Sequence, residues 1–169
     1  AANGWAVYHK DVGDTKYLAL SATTTPATLS SVWNNTSPTN TVFTVGTAGV
    51  TGSTGLHDYV AYLFATLPGI SKVGSYTGNG ASQTINCGFS AGARFVLIKR
   101  TDSTGNWLVA DTSRGIVSAN DPRLSLNTTA AEVTTEDWLD PDSAGFIVNQ
   151  IAGSSANVNG ASYIFLAIA

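Results

Sequence analysis

What most constrains this chain of 169 residues is that it resembles itself. The run Tyr59-Val60-Ala61-Tyr62-Leu63-Phe64-Ala65 recurs without a gap as Tyr163-Ile164-Phe165-Leu166-Ala167-Ile168-Ala169. Working backwards in the same order, Trp5-Ala6-Val7 falls on Trp107-Leu108-Val109, and Tyr17-Leu18-Ala19-Leu20 falls near Arg123-Leu124-Ser125-Leu126. Trp33 then matches Trp138, and Val42-Phe43-Thr44-Val45 matches Gly145-Phe146-Ile147-Val148. Agreement in order, spacing and residue type marks an internal repeat with a unit of about 100 residues. The units divide as 1–69 and 70–169, packed as one compact body, and they are unequal. Residues 70–104 precede the second Trp-led strand and hold two further strand candidates, but nothing equivalent stands ahead of Trp5 in this sequence. The first unit is therefore expected to lack its N-terminal strands, being either cut from a longer parent or dependent on strands borrowed from elsewhere.

The repeated pattern is that of strands. The final stretch, Ala161-Ser162-Tyr163-Ile164-Phe165-Leu166-Ala167-Ile168-Ala169, has no charge. A terminus of that composition frays at a cost unless a sheet ties it down. It is expected to close the second unit as an inner strand, as Asp58-Tyr59-Val60-Ala61-Tyr62-Leu63-Phe64-Ala65 is expected to close the first. Residues 93–100 form a short apolar run edged by charge, the mark of a buried strand. Turn signals lie between such runs, at Thr51-Gly52-Ser53-Thr54-Gly55, Thr77-Gly78-Asn79-Gly80 and Asn157-Val158-Asn159-Gly160. Helical signal is weak, since residues 24–28 and 128–133 could each form a turn at most. The expected fold is all-β, a jelly-roll-like β-sandwich.

Composition narrows the partners. With 43% apolar residues the chain can build a core, while only 11% are charged and the net charge is −3. Such a surface exerts no long-range pull on nucleic acid or on an anionic membrane. No apolar stretch approaches the roughly 20 residues that cross a bilayer, and the opening residues lack the basic start and apolar core of a signal peptide. The single cysteine, Cys87, has no partner for an intrachain disulfide and reads as a small buried apolar residue at a strand end.

Catalytic signatures are sparse. His9 is read as a strand-end histidine bonded locally, with Asp11 or Asp14 as the carboxylates it would need for base chemistry. His57 and Asp58 stand just ahead of the Tyr59 run as an acid–base pair in want of a nucleophile. Glu136-Asp137-Trp138-Leu139-Asp140-Pro141-Asp142 is the best metal candidate, because hard cations favour several carboxylates on one loop, and Asp137, Asp140 and Asp142 would be its ligands. It lacks EF-hand spacing and is read first as a solvated acidic loop, with no cofactor expected. No GxSxG elbow, HExxH, Walker loop or dinucleotide fingerprint is read in the chain, and Thr77-Gly78-Asn79-Gly80 is read as a hairpin turn. The four tryptophans, Trp5, Trp33, Trp107 and Trp138, fall in repeat-related pairs with apolar neighbours, which suits a packing role better than sugar stacking.

The ordered set Trp5-Ala6-Val7-Tyr8-His9-Lys10, Trp33-Asn34-Asn35-Thr36-Ser37-Pro38-Thr39, Val42-Phe43-Thr44-Val45-Gly46, Tyr59-Val60-Ala61-Tyr62-Leu63-Phe64, Ser75-Tyr76-Thr77-Gly78-Asn79-Gly80 and Val96-Leu97-Ile98-Lys99-Arg100-Thr101-Asp102 resembles a repeated domain of tailed-bacteriophage virion proteins. That domain occurs toward the C-terminal ends of large marine-phage fibre, spike or capsid-associated proteins. The resemblance spans nearly the whole chain, although the chain begins at the Trp strand without the preceding TGNG-type segment. It implies a noncatalytic virion protein facing the extracellular medium, either a tail-fibre or receptor-binding region or a capsid decoration subunit. Its partners would be other virion subunits or a host-surface glycan, in a homo-oligomer with a trimer favoured. Loop residues Asn34, Asn35, His57 and Asp58 are the binding candidates. The alternatives are a glycan-degrading depolymerase, which needs two suitably spaced carboxyls, and a filament subunit assembled by strand exchange.

Overall fold

The computed structural model describes residues 4–52 and 58–169. Among these, strands run β1 (Ala6–Val7), β2 (Lys16–Ala19), β3 (Ala27–Thr28), β4 (Ser71–Thr77), β5 (Gln83–Asn86), β6 (Phe95–Arg100), β7 (Trp107–Asp111), β8 (Leu124–Ser125), β9 (Leu139–Asp142), β10 (Gly145–Val148) and β11 (Ser162–Ile168), with one helical turn, α1 (Ser30–Trp33). They form a five-stranded sheet in the order β4-β11-β6-β7-β8, a three-stranded sheet β5-β10-β9 and a second three-stranded sheet β1-β2-β3. All pairings are antiparallel. In the second unit the first strand pairs with the last and the second with the next-to-last, the nesting of a jelly roll. The fold is an all-β sandwich, as the sequence pattern leads one to expect.

Alternation along the strands builds the core. Tyr163, Phe165 and Ala167 of β11, Val96 and Ile98 of β6 and Leu108 and Ala110 of β7 point inward, where they meet Ile85, Leu139, Phe146 and Val148 from the facing sheet. Phe146 and Phe165 touch edge to face across the gap, with centroids 5.4 Å apart. Pro141 is accommodated because β9 is an edge strand, where a missing N–H breaks no ladder.

The opposite face of the five-stranded sheet is covered by the first unit. Leu18 of β2 packs on Trp107 and Ile164, with Val7, Val12, Leu20 and Leu97 around them. β11 is therefore apolar on both faces because it is covered on both. The Trp107 indole N–H donates to the Ala19 carbonyl at 3.0 Å, and Trp33 does the same to Lys16 at 3.0 Å.

Several expectations need correction. Residues 70–104 carry three strands rather than two, β4, β5 and β6. Thr77-Gly78-Asn79-Gly80 is not a hairpin turn, because β4 and β5 lie in different sheets and the segment carries the chain across. Gly78 is required there: a Cβ would fall 2.2 Å from the Val158 carbonyl oxygen. The helical turn forms at residues 30–33, not at 24–28 or 128–133. The packing role holds for Trp33, Trp107 and Trp138, which are buried, but Trp5 is 50% exposed. Finally, the first unit's counterparts of β10 and β11 do not enter a sheet. Residues 42–45 and 60–65 belong to no strand, and Val42, Phe43, Val45, Val60, Tyr62, Leu63 and Phe64 are exposed. Strand formation needs a pairing strand as well as the right residues, and among the described residues no strand pairs with either segment.

Candidate functional site

Two open polar grooves lie where the first unit meets the second, and Asp11 lines both. The larger, of about 430 Å³, runs along the outer edge of β4 past Lys72, Ser75 and Tyr76, with Lys10 and Asp11 on one wall and Thr84 and Asn86 on another. The smaller, of about 360 Å³, is lined by Asp11, Lys16, Thr25, Thr101 and Asp102 among others. Their hydroxyls, amide and charges can hydrogen-bond a sugar or peptide.

Acid catalysis is a different matter. Hydrogen bonds from Arg100 at 3.0 and 2.9 Å and from the Ser162 N–H at 2.9 Å hold the Asp102 carboxyl down at about 2. Burial works to raise Asp11, but hydrogen bonds from Lys10 and Ser75 leave it below the ordinary carboxylate value. A glycosidase acid must stay protonated near neutrality, and both carboxylates of this groove are held ionised. Asp121 is the carboxyl that burial pushes up, to about 6, yet it is fully enclosed and accepts from the Val117 and Leu139 N–H groups at 2.8 and 3.3 Å. Its role is to hold a loop.

The residues singled out from sequence do not converge. His9 is buried at the end of the first strand. Its Nδ1 accepts the Asp11 backbone N–H at 3.2 Å, while the Asp11 carboxylate bonds Lys10 and that of Asp14 accepts from Ser37, so neither forms a base pair with the imidazole. Asn34 and Asn35 end α1 with φ of 53° and 47°, a left-handed backbone that asparagine tolerates. They are exposed and line neither groove. Asp58 is also exposed, and His57 lies outside the described residues. In the acidic loop, Glu136 pairs with Arg123, and Asp137 and Asp140 both accept from the Asn149 amide at 3.0 and 2.7 Å. Asp142 caps the Ala144 N–H of the β9–β10 turn at 2.8 Å. Asp137 is exposed and Glu136, Asp140 and Asp142 are half-buried, each carboxylate accepting from a protein donor, and among the described residues no group of three or more His, Cys, Asp or Glu is placed to hold a metal. Cys87 is buried, and burial pushes its thiol up to about 11, which makes it inert.

The reading that the chain holds no GxSxG needs correction, since that spacing does occur. Gly88-Phe89-Ser90-Ala91-Gly92 has the spacing of a nucleophile elbow, G-x-S-x-G. That device needs a strand-to-helix turn, whereas this pentad lies in the loop between β5 and β6 and leads into a strand. It is a chain reversal, with Gly88 and Gly92 at φ of 74° and 81°.

The grooves went unread from sequence because Asp11 and Asp102 meet only through the packing of the two units. The most unusual surface feature is apolar: Tyr62 and Leu63 are 71% and 72% exposed, and Val60, Phe64, Leu67 and Ile70 stand out of the same stretch. Apolar side chains concentrated in one surface stretch mark an interaction site.

A family model matches residues 1–169, both units together. The chain belongs to the DUF7483 family, a domain of unknown function. No curated protein and no solved structure matches this DUF7483 chain. Among the described residues, the DUF7483 sandwich thus presents the two grooves at the seam and the exposed apolar stretch at residues 60–64 as its candidate sites.

Proposed function

We propose that the chain is a noncatalytic structural module of a tailed-bacteriophage virion, part of a tail fibre or receptor-binding region or a capsid decoration subunit, working in contact with other virion subunits. The observation that carries this reading is the exposed apolar stretch at residues 60–64, which enters no sheet of the β-sandwich. A surface of that kind is finished by a protein neighbour. The motifs quoted above supply the virion setting. The polar grooves around Asp11 suit a host-surface glycan as a secondary contact, and the homo-oligomer, with a trimer favoured, is the expected assembly.

The depolymerase alternative asks for a carboxyl held protonated beside a second one, and Asp11 and Asp102 are both held ionised. Immunogold electron microscopy with antibody to this chain, applied to phage particles from the source lysate, tests the proposal. Label on tail tips or capsids supports it, and unlabelled particles overturn it. A reducing-end assay on host polysaccharide would expose an enzyme directly.

A further inference from the structure

The second unit shows which neighbours its own closing strand has. There β11 is flanked by β4 on one edge and β6 on the other, and β6 in turn borders β7. The repeat equates residues 59–65 with β11, β1 with β7 and β2 with β8, yet among the described residues no strand stands beside residues 60–64 as β4 and β6 stand beside β11. The consequences are visible on both sides of the gap. β1 keeps two residues where β7 has five, and it is an edge strand in its own sheet. Trp5 is 50% exposed where Trp107 is 3% exposed. Residues 60–64 join no ladder, although their side chains are apolar on both faces, the pattern of a strand covered from both sides. The Trp5 and Tyr62 rings meet across the space, tilted by 32° with centroids 5.5 Å apart.

We propose that residues 60–64 are a receiving strand for a strand pair of the 70–104 pattern supplied by a further unit of this family, one strand entering between β1 and residues 60–64 and the other adding to the far edge. The incoming strands would resemble Ser71–Thr77 and Phe95–Arg100, and they would dock antiparallel as those do on β11. A second copy of this chain fits less well. Its own 70–104 segment is already paired with its β11, and mutual pairing of two 60–64 segments fills one edge and leaves Trp5 uncovered. The inference rests on the reading above that a protein neighbour covers the apolar stretch, and it names that neighbour's strands; the homo-oligomer contact would then use another surface.

A designed fusion tests it. Residues 70–104 follow one another directly into Gly105-Asn106-Trp107, and Asn3-Gly4-Trp5 offers the same spacing, so an extra copy of 70–104 is joined to residue 3. Amide exchange at residues 60–64 is expected to slow at least about tenfold in the fusion. Trp5 emission, isolated by difference against Trp5→Phe, should shift to the blue. Placing Val96→Asp and Ile98→Asp in the added copy alone should abolish both changes. Unchanged exchange at 60–64 in a folded fusion overturns the proposal, and so does protection already present in an unfused chain of dimeric mass, which assigns the stretch to a second copy. Should the fusion not fold, the 70–104 peptide added to the unfused chain decides by the same exchange readout: protection at 60–64 supports the proposal and its absence overturns it. The two readings fail separately, since unlabelled virions leave strand docking intact and unprotected residues 60–64 leave the virion role intact.

Discussion

The Lys99 ammonium, fully buried in the five-stranded sheet, donates to the Thr23 carbonyl of the first unit at 2.9 Å and to the Gly105 carbonyl at 2.7 Å. The Gly105 N–H also reaches Thr23, at 2.9 Å, so one carbonyl ties the loop of the first unit to the β6–β7 turn of the second. Among the described residues no carboxylate pairs with the ammonium, and burial pushes its pKa down to about 8. The unfolded lysine holds its proton to higher pH than the folded one, so stability should rise as pH climbs through 8. Between pH 8 and 9 the lysine's own gain is about 1 kcal/mol, partly offset in that window by Cys87, whose thiol is raised by burial to about 11 and so ionises first in the unfolded state. Urea unfolding should show this rise in the parent chain and not in Lys99→Met.

Asp121 gives the opposite slope in acid. Its carboxyl is raised to about 6 by burial, with Asp140 and Asp137 adding to the effect, so the unfolded state ionises first. Stability should fall by about 2 kcal/mol from pH 4 to 6 on this account. His9, whose imidazole burial lowers, pulls the other way in the upper part of that window, and Asp102 acts below pH 4. The difference between parent and Asp121→Asn isolates the contribution: the variant should lack the fall, and an identical acid profile for the two would remove Asp121 from the account.

Much of the second unit was legible because periodicity reports a strand that finds its neighbours. β6, β7, β10 and β11 lie where alternating or continuous apolar runs put them. The same reasoning misplaced residues 42–45 and 59–65, whose composition is equally strand-like, because partnership depends on segments far away in sequence. The crossover at Gly78-Asn79-Gly80 misled for a related reason: turn residues mark where the chain bends, not which sheet it enters. Asp58, Asn34 and Asn35 were chosen as loop residues, and loops they are, but the grooves formed instead where Asp11 meets Ser75 and Asp102 through packing of the two units.

Two turn segments clasp each other through Asn157, which is completely buried. Its side chain accepts from the Asn79 N–H at 3.0 Å and donates to Asn79 Oδ1 at 2.9 Å and to the Val148 carbonyl at 3.2 Å. Asn157→Ala should cost about 2–4 kcal/mol, because the backbone groups it satisfies would stay buried without partners. Asn157→Asp should be worse at neutral pH, since an anionic oxygen would then face carbonyl oxygens. Thermal melts of the two variants at pH 7 provide the check, and an Asp variant as stable as the parent would contradict the assigned donor directions.

Gly74 and Phe165 stand opposite each other in the β4–β11 ladder, and the phenyl ring lies over the glycine. A Cβ on residue 74 would come 2.7 Å from Phe165 Cζ and 2.8 Å from Cε1. The ring has no room to swing away, because Phe146 meets it edge-on at 5.4 Å and Tyr76 flanks it at 6.2 Å. Gly74→Ala should therefore destabilise by about 1–3 kcal/mol through overpacking. Phe165→Leu alone should also destabilise, by opening a cavity in the aromatic cluster. Combined, the two should cost less than the sum of the singles by about 1 kcal/mol, because the smaller leucine makes room for the new methyl. A double-mutant cycle from urea melts measures that coupling, and strict additivity would show that the clash is relieved by backbone movement in β4 rather than by the ring.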